Sequence, residues 1–412
     1  MQRRECLQCL SAACLGAPLT NTAWSAATPG PKLTPPAEIE QRVSQARPLL
    51  GGPIPADLQR RLGAAHYGGK YHLSDKPYLL EGCDALVRLG MGVAKLWFGR
   101  DLPGYGFNSS WNLDRSARLV DVARHPYFVR AFALPFSTFV LEIGRVTSGK
   151  HSFADPNQDY AEDEAQFYEL ASHLLATYVD RDVRFILQHW EGDWMLRGLG
   201  KKWEPGGPPD APQRCAGFAR WLSARQKGVS RARSEARAGR CQVYHAAEVN
   251  RVWDSVHGIP TVTSHVLPQV AVDLVSWSSY DGMASPVKAW QGLELIRHYA
   301  RPSPVFGKPM VYIGEVGKPE QGESEEKIVT WWDQAMAVFF AQEIPWIIHW
   351  ELYCNEWKEG ANRGPGDKFQ ADDLRGFWLI RPDGSLGHAA KYLRTLLRHA
   401  GDTLPKAQLR PA

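Results

Sequence analysis

Phe185-Ile186-Leu187-Gln188-His189-Trp190-Glu191-Gly192-Asp193-Trp194 carries an apolar run straight into a carboxylate between two indoles. Such a run reads as a strand buried on both faces, as in parallel sheets covered by helices. Met310-Val311-Tyr312-Ile313-Gly314-Glu315-Val316-Gly317 repeats the arrangement, with the carboxylate flanked by glycines. Working outward, β-rich runs are expected at 62–67, 93–98, 138–144, 183–190, 242–245, 274–277, 310–314 and 346–350. Amphipathic segments lie between them, among them 78–89, 161–178, 212–236, 325–342 and 387–400. Eight strands with intervening helices argue for an α/β fold, a (β/α)8 TIM barrel. An open doubly wound sheet is disfavoured, because no G-x-G-x-x-G follows any strand.

The chain has 412 residues, 44% hydrophobic and 22% charged, which excludes a disordered or fibrous chain. A net charge of +4 is too balanced for a nucleic-acid binder. Sixteen tryptophans stand out. Indole is apolar yet carries an N–H donor, and that two-sided character matches a sugar ring. Residues 1–27 read as a twin-arginine-type signal peptide, with Arg3-Arg4-Glu5-Cys6-Leu7, a weakly apolar run at 9–19 and small residues at Ser25-Ala26-Ala27. That run is too short to span a bilayer. The expected location is therefore periplasmic or extracellular. Residues 28–58 read as an extended Pro-rich lead-in, 59–402 as one catalytic domain and 403–412 as a tail. Beyond the signal remain Cys83, Cys215, Cys241 and Cys354, with Cys215–Cys241 the favoured pair if any forms.

In a barrel the C-terminal strand ends converge on one mouth, so Glu191 and Glu315 are the candidate catalytic pair. A carboxylate against indole is poorly solvated when charged, so its pKa rises, as suits a general acid. A carboxylate in a Gly-bounded turn accepts hydrogen bonds and stays ionised, as suits a nucleophile. Cleaving a glycosidic bond with retention needs such a pair about 5–5.5 Å apart, and neither a metal nor an organic cofactor.

On these residues the sequence resembles clan A glycoside hydrolases, nearest in pattern to families 5 and 39, over roughly residues 62–400. The resemblance implies a retaining enzyme acting on a poly- or oligosaccharide, with Glu191 as acid/base after strand four and Glu315 as nucleophile after strand seven. It implies that Tyr280, in Val275-Ser276-Trp277-Ser278-Ser279-Tyr280-Asp281, supports the nucleophile. Trp350, in Ile347-Ile348-His349-Trp350-Glu351, would form the floor beneath the sugar, and 376–393 would close the fold with a hairpin turn and last helix. The clan has Asn before the acid/base, contacting the sugar 2-hydroxyl, where this chain has Trp190. That contact is then expected from His189, His245 or Asn250.

Trp97, Trp194, Trp111 and Trp253 are candidate stacking residues. Lys95, Arg100, Glu142, His245 and Glu248, at the ends of strands two, three and five, read mainly as satisfied structural groups. Glu351 and Glu356 are alternative carboxylates. Two other readings stand beside the hydrolase. One is a metal-dependent barrel hydrolase or isomerase using His66, His72, His189, His245 and His349, although their spacing follows no familiar ligand pattern. The other is a non-catalytic barrel that binds carbohydrate.

Overall fold

Every apolar run named above becomes a strand: β1 (Leu62–His66), β2 (Val93–Trp97), β3 (Thr138–Glu142), β4 (Arg184–Gln188), β5 (Gln242–Val249), β6 (Leu274–Ser278), β7 (Val311–Val316) and β8 (Ile347–His349). In the computed structural model they close into a parallel barrel in chain order, β1 pairing with β8. The structure describes residues 30–146, 152–199, 201–361 and 370–401; the stretches read above as signal peptide (1–27) and tail (403–412) lie outside them. The chain from Pro31 onward is one compact unit. Around the barrel run α1 (Pro36–Ala46), α2 (Tyr78–Leu89), α3 (Leu119–Arg124), α4 (Pro126–Ala133), α5 (Ala161–Thr177), α6 (Gly192–Arg197), α7 (Ala211–Glu235), α8 (Pro286–Tyr299), α9 (Glu325–Ala341) and α10 (His388–His399). The (β/α)8 expectation holds. The closing turn also forms, through an antiparallel bridge between Ile380 and Leu386 before α10.

Several details differ. The lead-in is not extended throughout. Pro36 opens α1, which buries Ile39, Val43 and Ala46. Proline at a first helical turn loses no hydrogen bond, and that apolar stripe at helical spacing supplies the reason to fold. Between β5 and β6 the connection is a series of short turns (Val252–His257, Val262–Val266 and Leu267–Gln269) in place of an α-helix. β5 runs on to Val249 and β7 to Val316, so Glu248 and Glu315 sit within strands. All four cysteines are free and buried, so the favoured Cys215–Cys241 pair does not form. Those two residues sit at separate places: Cys215 in the first turns of α7, Cys241 just before β5.

Side chains alternate in and out along a strand, so every second residue faces the barrel interior. One interior set, Val93, Val140, Ile186, Ala246, Leu274, Tyr312 and Ile348, forms an apolar floor with Tyr244 and Trp346. Two residues further along the same strands stand Lys95, Glu142, Gln188, Glu248, Ser276 and Gly314, all within hydrogen-bonding reach of one another or tightly packed. Beyond these come Trp97, Trp190, Asn250, Ser278 and Trp350 at the mouth. The intervening residues of each strand face the helices.

Candidate active site

The polar layer is built around one buried ammonium. Lys95 Nζ donates to Glu315 Oε1 at 2.7 Å and to the Gly314 carbonyl at 3.3 Å. It also lies 2.9 Å from Glu142 Oε2 and 3.6 Å from Glu248 Oε2. Glu248 accepts from Gln188 Nε2 at 2.9 Å, Ser276 Oγ at 2.7 Å and the Glu191 backbone N–H at 2.9 Å. That last bond ties the turn carrying Glu191 to β5. Glycine at 314 is a packing requirement: a Cβ there would meet Ser276 Oγ at 1.8 Å and Glu248 Oε2 at 2.6 Å. Gly317 is similar, since a Cβ would lie 2.4 Å from the Trp350 carbonyl. The glycines around Glu315 thus admit close neighbours, and the stabilising contacts come from Lys95 and Ser278.

A register shift positions Glu315. Trp277 pairs with Ile313, but Ser278 pairs with Glu315, so the strand gains a residue between them. Such a bulge re-aims the side chain after it. Gly314 and Glu315 therefore both face the interior. Ser278 Oγ then stands between the two carboxyls, 2.8 Å from Glu191 Oε1 and 3.4 Å from Glu315 Oε2. These two contacts keep Glu191 Oε1 and Glu315 Oε2 no more than about 6 Å apart. One hydroxyl cannot donate to both. A neutral Glu191 can donate to Ser278 while Ser278 donates to an ionised Glu315, which satisfies all three groups.

The electrostatics point the same way. The Glu191 pKa rises to about 8, by burial first and then by the charges of Glu315 and Glu248. Burial is the leading cause, and the neighbouring carboxylates add to it. Glu315 rises to about 7, its burial partly offset by the attraction of Lys95. The two groups titrate as a pair in which Glu191 holds its proton to higher pH.

Of the remaining expected site residues, Trp350 and Trp97 sit together at the mouth, ring centroids 5.6 Å apart and both half-buried. Trp350 Nε1 donates to Glu356 Oε1 at 3.1 Å, and Glu356 pairs with Arg375, so Glu356 holds the indole in place. Tyr67, not anticipated from sequence, stacks on Trp97 at 4.8 Å and 8°. Tyr280 is 38% exposed and packs edge-on to Phe377. Burial of its hydroxyl and the nearby charges of Glu315 and Glu191 push its pKa well up. Among the described residues the hydrogen-bond donors to the Glu315 carboxylate are Lys95 and Ser278, so the support expected from Tyr280 comes from them instead. Trp190 is half-buried before Glu191. Trp194 lies on α6 with the Arg197 and Arg251 guanidiniums at 5.9 and 5.5 Å from its ring.

The histidines fail on parity. His189 faces Phe218 and Trp221 of α7, its Nε2 accepting from the Glu248 N–H at 3.1 Å. His245 faces Phe167 and Gln226 in the helix layer. Burial lowers both pKa values, that of His189 to about 3. Neither reaches the mouth. Asn250 points inward, but its Oδ1 accepts from the Asp193 N–H at 2.9 Å, bracing the start of α6. Of the three residues expected at a 2-hydroxyl, the two histidines thus face away, while the buried Asn250 Nδ2 has no hydrogen-bond partner among the described residues. His66 bonds the Tyr78 carbonyl, His349 stacks on Trp332, and His72 lies exposed on a loop. Glu351 is fully buried, with Oε1 accepting from the Asn355 N–H. Trp111 packs among Tyr105, His125, Tyr127 and Phe128, and Arg100 donates to the Arg115 carbonyl. Trp253 is held through its backbone N–H by Asp281.

Among the described residues, the one group of three or more His, Cys, Asp or Glu side chains close enough to share a metal is Glu142, Glu248 and Glu315. No histidine joins it, and the Lys95 ammonium already stands among the three carboxylates. This donor set does not fit a resident cation. The residues under-read from sequence are Lys95, Glu142 and Glu248, with Gln188, Ser276 and Ser278 unread. The available signal was period two, since each lies two residues beyond a floor position or two beyond that.

No protein-family model matches the sequence, and comparison with curated proteins finds no match. Solved structures do match. A family 5 subfamily 18 glycoside hydrolase from Bifidobacterium longum subsp. longum is 12% identical with a TM-score of 0.51, over 84% of this chain and 80% of that one. A glutamate-to-alanine variant of it in complex with Manβ1-4GlcNAc matches with the same score and identity, over 84% and 79%. A family 39 glycoside hydrolase from Bacteroides cellulosilyticus is 12% identical with a TM-score of 0.47, over 84% and 65%. The likeness to the Bifidobacterium structures shows the fold alone: this chain shares the (β/α)8 barrel of those glycoside hydrolases.

Proposed function

We propose that this chain is a retaining glycoside hydrolase that cleaves O-glycosidic bonds of a poly- or oligosaccharide. The observation that carries the reading is Ser278, which holds Glu191 and Glu315 in one hydrogen-bonded row no more than about 6 Å apart. Carboxyls bridged by a single hydroxyl are close enough to act on one scissile bond, as a double displacement requires. Glu315, kept anionic by Lys95, attacks the anomeric carbon. Glu191 gives its proton to the leaving oxygen, then takes one from the water that releases the glycosyl-enzyme. The aromatic mouth of Trp350, Trp97 and Tyr67 supports a sugar ligand, as does the bound disaccharide of the Bifidobacterium structure. The Arg3-Arg4 pattern supports export to the periplasm or beyond.

Purified protein incubated with a panel of glycans and aryl glycosides should release reducing ends, and NMR of the first product should show retained anomeric configuration. Glu191→Ala and Glu315→Ala should each lower turnover by about three orders of magnitude or more without unfolding the chain. Activity should rise with pH as Glu315 ionises near about 7 and fall as Glu191 loses its proton near about 8. Full activity in the double variant overturns the assignment. Tight glycan binding without cleavage of any substrate favours a binding barrel.

A further inference from the structure

The polar layer presents a charge imbalance. Among the described residues Lys95 is the only cation in contact with Glu142, Glu248 and Glu315, all of them buried. Three buried carboxylates cannot all stay ionised around one ammonium without a large desolvation cost, so a proton must reside on one of them. Hydrogen-bond donors decide which. Glu248 receives three well-directed donors, from Gln188, Ser276 and the Glu191 N–H. Glu315 receives the short bond from Lys95 and a longer one from Ser278. Glu142 fares worst. Lys95 lies 2.9 Å from its Oε2, but that ammonium is shared with Glu315 at 2.7 Å and with the Gly314 carbonyl. Gln188 Nε2 reaches the same oxygen at 3.4 Å, and Glu142 Oε1 is buried with no hydrogen-bond partner among the described residues.

We propose that Glu142 is held as the neutral acid and is a positioning residue for Glu315. A neutral Glu142 keeps Lys95 centred through its carbonyl oxygen without competing for its charge. The ammonium is thereby left to stabilise the anionic form of Glu315. The groups that face Glu142 are Lys95 from β2, Gln188 from β4, Glu248 from β5 and Glu315 from β7, with the Tyr67, Tyr105 and Tyr312 hydroxyls nearby. Burial and the two carboxylate neighbours push the Glu142 pKa well up, in agreement with the hydrogen-bond geometry. The inference rests on the hydrolase reading only where it assigns Glu315 its role.

The test compares Glu142→Gln, Glu142→Leu and Lys95→Met. Infrared spectra at neutral pH should show buried, protonated carboxyl absorption in the wild type, to which Glu191 also contributes, and Glu142→Gln should remove one component of it, whether or not any glycoside is cleaved. Persistence of the whole band in Glu142→Gln overturns the proposal. In the pH–rate profile, glutamine mimics the neutral acid, so the acidic limb should stay in place even if the rate falls. Glu142→Leu, which removes the oxygen facing Lys95, should move that limb upward. Lys95→Met should move it up by about 1–3 units. A downward shift of about one unit or more in Glu142→Gln would mean that a negative charge had been removed, and the proposal fails. If the wild type cleaves no glycoside while the band behaves as expected, the hydrolase reading fails and the neutral Glu142 stands.

Discussion

The floor of the barrel and the layer above it are built on the same strands, one pleat apart, and obey opposite rules. Val93, Val140, Ile186, Leu274 and Ile348 fill the floor with non-directional contacts that any side chain of similar shape could make. Lys95, Glu142, Gln188, Glu248 and Ser276, two residues further on, are held by directed bonds. Losing one of these leaves another group buried without a partner. The difference teaches where stability and chemistry part company. The floor supplies free energy that is indifferent to pH, whereas the layer above carries buried charge whose state depends on it.

The sharpest test of that division is Ile348→Ala. It should cost about 2–5 kcal/mol of stability in chemical denaturation while leaving the pH limbs of the remaining activity in place. Next comes a pH effect on the fold. Glu191 and Glu315 hold protons to about 8 and about 7 in the folded chain, against an ordinary glutamate value of 4.5. The folded state thus binds more protons than the unfolded chain between these values. Stability should be greatest at the acid end of that window and decline as pH rises to about 8, and Glu191→Gln should flatten the decline. A floor substitution that altered this slope would break the comparison. Ser278→Ala should reduce kcat by about tenfold, the worth of one hydrogen bond to a charged group. It should also move the acidic limb upward, because the Ser278 bond lowers the Glu315 pKa. The smallest effect is expected from His245→Gln, which faces the helices and should leave kcat unchanged when rates are normalised to folded protein.

The barrel was legible because burial on both faces leaves an unmistakable apolar run, as in Phe185-Ile186-Leu187, and because helical periodicity fills the gaps between runs. The ends of α2 coincide with the expected 78–89 for the same reason. Glu191 and Glu315 were legible because each follows such a run. His189 and His245 misled because a polar residue near a strand end looks available whichever way it points, although their parity with Gln188 and Ala246 already turned them outward. Lys95 and Glu248 were visible but under-read, since a lone buried charge gains meaning only from partners on other strands. α1 was hidden by its prolines, which begin a helix as readily as they prevent one. The register shift after Trp277 left no mark in the sequence, because it depends on how two strands align.

That shift acts like a change of reading frame written into the sheet. Upstream of it, even-numbered residues of β7 address the interior; after it, Glu315 takes the inward place that the even count would have given to Val316. Were β6 and β7 aligned without the shift, the chain would retain each amino acid of the site and still turn Glu315 toward the helices. Spacing between key residues is therefore a poor guide to shared chemistry among barrels of this kind, and the alignment of neighbouring staves is the better one.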